Sequence, residues 1–557
     1  MRAAGATIPR CSGTFWCSTA SWPTGSTSAG CPMTADPGPA GPRDGTASQD
    51  AGLASLAGEG SILSRTARGA GWVIGWRFCT RFIGLFSTLI LVRLLTPADF
   101  GIVALATSFV QGFGQLCEVG VEDAIIRDPH PDRALYDTGF TINLIRGFGV
   151  ALVLLIGAFP IAALFHNPNL APVLLAVAGI SALGAMENIG VVDFRRFIAF
   201  DREFVLKIIP RIVQTAIGIT LSFILRSYWA LIIALLTNQA ITTMMTYRLH
   251  PYRPRLSLVA WRRMAGYSAW IWVNNLVSQL NSNGTNFIIG KMLGVGAVGI
   301  FGLGNEIAGL PNTELVGPLC RSAFSGFAHA RADDDNGASL LLRLLALMTI
   351  IALPAGLGLS LTAYPIVQLG FGKNWIGAVP LLQIIGIANA FSIFGMISGV
   401  VFSVRAWMKA LFKLGAAVTL TRLGLIIVLL PVYGLPGAAI AVALTDIVNQ
   451  LVLIVVTVHR LDLSLGTVLG RIWRSIAAAA LMTALLVTLH LGWSDEPGTD
   501  RWQAIHLGAA VMIGAISYTA SLIGLWLLAG RPEGAERDLL DFLRAMLRRI
   551  ETRRLPA

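Results

Sequence analysis

Arg93-Leu-Leu-Thr-Pro-Ala-Asp-Phe-Gly-Ile-Val103 closes one long apolar run and opens the next. It returns without gaps as Lys291-Met-Leu-Gly-Val-Gly-Ala-Val-Gly-Ile-Phe301, 198 positions later. Basic residue pairs with basic, Leu95 with Leu293, Gly101 with Gly299, and Ile102 with Ile300. Three further echoes follow in order. Asn167, Leu174 and Gly179 recur as Asn374, Leu381 and Gly386 at an offset of 207. Val191 and Arg196 recur as Val400 and Arg405 at 209, and Ala230 and Thr237 as Ala438 and Thr445 at 208. So steady an offset marks an internal duplication.

The 557 residues are 55% apolar and 13% charged, with a mean hydropathy of +0.69. Soluble domains carry about 25% charge, and no water-soluble core hides this much apolar surface. The chain therefore reads as a polytopic membrane protein. Its net charge of +12 belongs to cytoplasmic loops, where basic residues collect; no nucleic-acid partner is expected. The six cysteines have neither disulfide nor metal-ligand spacing, and no cofactor or metal is expected.

Residues 1–60, rich in Gly, Pro, Ser, Ala and Thr, read as a disordered segment. The odd run 1–32 suggests that translation begins at Met33. Beyond Ile62 come fourteen apolar segments, the first at 70–92 and the last at 503–529, each near the ~20 residues that span a bilayer. Lipid cannot satisfy open backbone groups, so these are helices. The expected fold is all-α, with about fourteen transmembrane helices in two pseudo-symmetric six-helix lobes plus two extra C-terminal helices. The lobes take 62–249 and 264–460, with a cytoplasmic loop at 250–263 between them. The extra helices take 461–530, and 531–557 forms an amphipathic cytoplasmic tail. An even number of helices per lobe makes the repeats parallel. One alternating set of loops is basic (Arg195, Arg196, Arg202, Arg253, Arg262 and Arg263 among others), whereas the other carries only Arg93, Arg226, Lys291, Lys373 and Arg501. The positive-inside bias puts the first set and both termini in the cytoplasm.

Arg93-Leu-Leu-Thr-Pro-Ala-Asp-Phe-Gly, the Tyr228-Trp-Ala-Leu start of the sixth helix and the duplicated fourteen-helix layout resemble the Wzx-type polysaccharide flippases. These are the polysaccharide transporters of the multidrug/oligosaccharidyl-lipid/polysaccharide (MOP) superfamily. The resemblance covers about residues 62–530. It implies two lobes around a central cavity, alternating access, and an undecaprenyl-pyrophosphate-linked oligosaccharide as cargo. Such a protein sits among the lipids of a bacterial inner membrane and hands its cargo to a polysaccharide polymerase and export machinery. It is not an enzyme.

Candidate site residues come from intramembrane polarity. Arg77 and Arg81 lie one turn apart on the first helix; adding the repeat offset gives Asn275 and Gln279, with Asn286 further along the seventh helix. A charge at the bilayer centre costs roughly 2.5–3.5 kcal/mol on insertion scales, so these stripes should face a water-filled cavity between the lobes. Interhelical hydrogen bonding is the competing reading. Arg146, Arg211 and Arg422 are further cations. Arginine's planar fork suits a pyrophosphate, although snorkelling to headgroups accounts equally well for a position such as Arg211. Glu306 and Asp446 are the acidic candidates, either ion-coupling sites or partners of the arginines. A drug/cation exporter of the same superfamily is the alternative transporter. A membrane glycosyltransferase or polymerase is a more distant one, since His329 and Asp333 lie in a short loop without pocket-forming sequence.

Overall fold

A computed structural model describes residues 62–537, except 119, 198, 266–267, 331–336, 495–497 and 533. The expected disordered segment, the Asp333 loop and most of the amphipathic tail lie outside the described residues. Most of those described are helical, with no strand among them. The helices are α1 (Ile62–Leu94), α2 (Pro97–Leu116), α3 (Val121–Arg127), α4 (Arg133–Leu164), α5 (Leu170–Ala185), α6 (Val192–Arg196), α7 (Phe200–Leu225) and α8 (Trp229–Leu249). The second half continues with α9 (Trp261–Ala265), α10 (Ser268–Leu293), α11 (Val295–Ala308), α12 (Gly317–Ala330), α13 (Ala338–Leu361) and α14 (Ala363–Gly370). It ends with α15 (Val379–Ala390), α16 (Ser392–Val404), α17 (Met408–Tyr433), α18 (Leu435–Arg460), α19 (Leu465–Thr488) and α20 (Asp500–Leu528).

Large apolar side chains stand exposed on these helices, among them Ile156 and Phe159 on α4 and Val428 and Val432 on α17. Water would not tolerate such surfaces; a bilayer demands them. Among the described residues eight helices are long and apolar enough to cross a membrane, or up to eleven if three bent pairs each count as one span. The remaining three of the fourteen expected segments are also helical. They are α1, α10, and α11 with α12, and they carry the arginines, amides and glutamates of the candidate site.

The opening stretch folds as its residues dictate. Thr96 caps α2, accepting from the Asp99 N–H at 3.3 Å, while the Asp99 carboxylate accepts from the Thr96 N–H at 3.0 Å. Pro97 fills the first helical position, where no N–H is needed. The other Asp99 oxygen accepts from the Tyr228 N–H at 3.0 Å, tying the start of α2 to the start of α8. The residues paired by the offset of 198 then meet in space. α2 and α11 cross so closely that a Cβ on Gly101 would fall 1.7 Å from the Val295 carbonyl oxygen, and one on Gly299 would fall 2.0 Å from that of Pro97. Pro97 and Val295 share the same offset, so the contact is reciprocal.

The paired basic residues act reciprocally too. Arg93, at the end of α1, donates to the Leu369 and Gly370 carbonyls at the end of α14. Lys291, at the end of α10, donates to the Leu164 carbonyl at the end of α4, 2.5 Å away. Each cation meets the negative end of a helix from the opposite half of the chain. Within the halves, α2, α4, α5 and α8 pack around Leu105, Leu154, Leu174 and Ile232, and α10, α11, α15, α17 and α18 around Ile289, Val298, Leu381 and Ala438. The last two helices pack on α13 through Met482, Tyr518 and Ile350.

Candidate functional site

α1 carries Arg77 and Arg81 on one face, with Gly84 almost one turn on. A Cβ at Gly84 would meet Nη2 of Arg211 at 2.9 Å. The glycine therefore leaves the room that lets Arg211, from α7, lie across α1. Arg211 also donates to the Gln214 side-chain oxygen at 3.2 Å.

The opposite wall comes from the second half. Between α11 and α12 the chain makes a π turn, Asn312–Val316. Such i→i+5 turns are rare and cluster at functional sites. This one is held from behind by amides. The Asn312 side chain donates to the Asn389 side-chain amide oxygen at 2.6 Å and accepts from the Ser392 hydroxyl at 2.6 Å, while the Asn389 side chain donates to the Ala308 backbone carbonyl at 2.8 Å. The turn carries Glu314 to Arg81, with Nε 2.9 Å from the carboxylate. Glu306 stands 3.9 Å from the same guanidinium. The side chains of Arg81, Glu314 and Glu306 are 32%, 44% and 52% exposed, although the Arg81 Nε atom itself is buried. Ion pairs of this kind contribute about 0–1 kcal/mol, too little to lock two helices permanently.

Arg77, Arg81, Arg211, Glu314 and Arg321 line a cleft of about 770 Å³. Four arginines against Glu314 and the nearby Glu306 leave an excess of positive charge, set beside the aromatic rings of Trp76 and Phe78. Chemically, the cleft presents several planar donor forks to a multivalent oxyanion.

The other sequence candidates sit elsewhere. Asn275, Gln279 and Asn286 form a seam along α2. The Asn275 amide reaches the Gln115 carbonyl at 3.5 Å, and Asn286 donates to the Ser108 hydroxyl at 3.3 Å. Between them Gln279, 5% exposed, lies against Gly112, where a Cβ would stand 3.2 Å from its Nε2. Arg146 pairs with Glu118. Arg422 of α17 pairs with Asp446 of α18 and also donates to Thr445 at 3.1 Å. The structure thus brings Arg77, Arg81, Arg211 and Glu306 together, and sets the amide seam, Arg146–Glu118 and Arg422–Asp446 apart from them. Sequence reasoning missed Glu314 and Arg321. The signal that points to them is Asn312-Thr-Glu-Leu-Val-Gly-Pro318, a charged, proline-ended break inside an expected span.

A family model described as "Polysaccharide biosynthesis protein" matches residues 90–380, just over half of the chain. The chain belongs to that family. Among its relatives is the lipopolysaccharide biosynthesis protein WzxC of Escherichia coli K12, 24% identical over 403 residues, 70% of this chain and 80% of the relative. The succinoglycan biosynthesis transport protein ExoT of Rhizobium meliloti 1021 is 24% identical over 324 residues, 58% of this chain and 66% of its own. Among solved structures, the lipid II flippase MurJ in an inward closed conformation superposes with a TM-score of 0.64 at 17% identity, covering 84% of this chain and 99% of MurJ. An inward-facing multidrug resistance MATE transporter of the MOP superfamily gives 0.54 at 16%, covering 69% and 94%. Likenesses at such identities establish the fold: this family member is a multi-pass helical membrane protein with the fold those two transporters share.

Proposed function

We infer that the protein is a flippase that turns lipid-linked oligosaccharide repeat units across the membrane for polysaccharide biosynthesis. One observation carries the reading furthest. In a member of the polysaccharide biosynthesis family, a cleft built from both halves of the chain sets four arginines against two carboxylates, Glu314 in its wall and Glu306 beside Arg81. An undecaprenyl-pyrophosphate headgroup supplies the oxyanions such a cleft accepts. The cargo is the undecaprenyl-pyrophosphate-linked unit of an exopolysaccharide, capsule or O-antigen, and the two halves are the lobes of an alternating-access transporter. Both termini and the 250–263 loop lie in the cytoplasm of a bacterial inner membrane, and the flipped unit passes to a polymerase and export machinery. Transport, not bond-making, is the reading. Glu306 and Asp446 both face arginines, so ion coupling at either requires a cation or proton to compete with a guanidinium.

The experiment is a chromosomal deletion with complementation. The deletion strain should lack surface polysaccharide and accumulate lipid-linked repeat units. Wild-type protein should restore both, Arg81→Lys should restore them partly, and Arg81→Ala should fail while reaching the membrane in normal amount. Normal polysaccharide with altered drug tolerance would overturn the flippase reading in favour of a drug exporter.

A further inference from the structure

We propose that Glu314 is an internal counterion that the cargo's pyrophosphate displaces from Arg81, so that cargo binding itself breaks the bridge between the two halves. The proposal rests on the cleft being the headgroup site. Arg81 comes from α1 and Glu314 from the turn before α12, so their 2.9 Å contact spans the two halves of the chain. Nothing in helix geometry alone would put a carboxylate there. An uninterrupted helix through 312–316 would turn Glu314 elsewhere; the π turn aims it, and the Asn312–Asn389–Ser392 bonds hold that turn.

The pair is built to exchange. Both side chains are part-exposed, and a forked guanidinium that pairs with one carboxylate pairs as readily with a pyrophosphate, which brings more charge and more oxygens. Once an oxyanion sits among Arg77, Arg81, Arg211 and Arg321, the Glu314 carboxylate faces like charge and loses its partner. A ligand shifts a conformational equilibrium only by binding one state better than the other. Competition for Arg81 supplies that difference, because the bridged state offers the headgroup one guanidinium fewer. Glu314 is thus a positioning residue. It adds one contact between the empty halves and makes the loss of that contact conditional on an anionic head.

The test uses purified full-length protein in nanodiscs, inorganic pyrophosphate as probe, titration calorimetry at low salt, and thiol labelling of Thr313→Cys, a cleft residue. Glu314→Gln, which keeps shape and loses charge, should bind pyrophosphate about fivefold tighter, as loss of one exposed competitor predicts. Glu314→Asp should return the affinity toward wild type. Pyrophosphate should speed Thr313→Cys labelling in the wild-type background, whereas the Gln variant should label fast without it. Unchanged or weaker binding by Glu314→Gln, alongside wild-type binding that Arg81→Ala abolishes, would overturn the counterion role and leave the headgroup site standing. No pyrophosphate binding by wild type would overturn both.

Discussion

Gly101 and Gly299 sit where α2 and α11 touch backbone to backbone. A methyl group at Gly101 has no side chain to push aside; it meets the Val295 carbonyl at 1.7 Å and the Gly299 N–H at 2.9 Å. Accommodating it means separating two helices packed along much of their length. Overpacking a close contact costs typically 1–3 kcal/mol, and here the obstacle is rigid backbone. Gly101→Ala should lower the melting temperature of the detergent-solubilised protein by several degrees. Gly114→Ala on the same helix, where nothing lies within 4 Å of the added Cβ, should leave it unchanged. Equal melting temperatures for the two variants would refute the crossing.

The element joining the halves is a strap, residues 250–260, laid along the end of α4. Asp137 accepts from the Tyr252 hydroxyl and, at 2.8 Å, from the Arg255 N–H. Thr141 accepts from the Ser257 N–H at 2.9 Å and Thr138 from the Ala260 N–H at 3.1 Å, while Asn188 donates to the Tyr252 carbonyl at 2.7 Å. Four polar side chains thus take up the backbone groups of a segment that has no secondary structure of its own. Burial, reinforced by the Asp137 carboxylate, raises the Tyr252 phenol well above its ordinary range. The fold favours the neutral phenol, so this contribution is intact below about pH 10, where free tyrosine ionises. It is lost only as pH rises through the raised value. Removing the hydroxyl leaves Asp137 short of a donor, at a cost of about 1–3 kcal/mol. Tyr252→Phe should therefore expose Arg253 and Arg255 to trypsin several-fold faster than wild type; identical digestion rates would count against the clamp.

At the scale of the whole molecule, the ends of α1 and α10 are pinned to the opposite half by Arg93 and Lys291. The arginine cleft lies further back along α1 toward Ile62. In the proposed orientation the basic loops and the strap are cytoplasmic and Arg501 is on the outer side. A membrane-impermeant thiol reagent applied to intact cells should label Arg501→Cys at once and Val259→Cys only after permeabilisation; both positions are exposed. The reverse pattern would invert the proposed orientation.

Sequence alone determined that this chain is all-helical and membrane-embedded. In lipid a run of apolar residues has one way to satisfy its backbone, and each run declares itself without reference to its neighbours. It also singled out Arg77 and Arg81, because charge inside such a run is costly wherever the run ends up. Helical periodicity says which residues share a face; it does not say which element that face meets. Only the tertiary structure decided that Asn275, Gln279 and Asn286 lie along Ser108, Gly112 and Gln115 of α2. It alone set Arg211 over Gly84 and paired Arg422 with Asp446. Glu314 was least legible of all. Its position depends on a π turn held by Asn389 and Ser392, residues more than seventy positions along the chain, and on a partner in the other half. Contacts that distant in sequence leave no periodic trace within the segment itself.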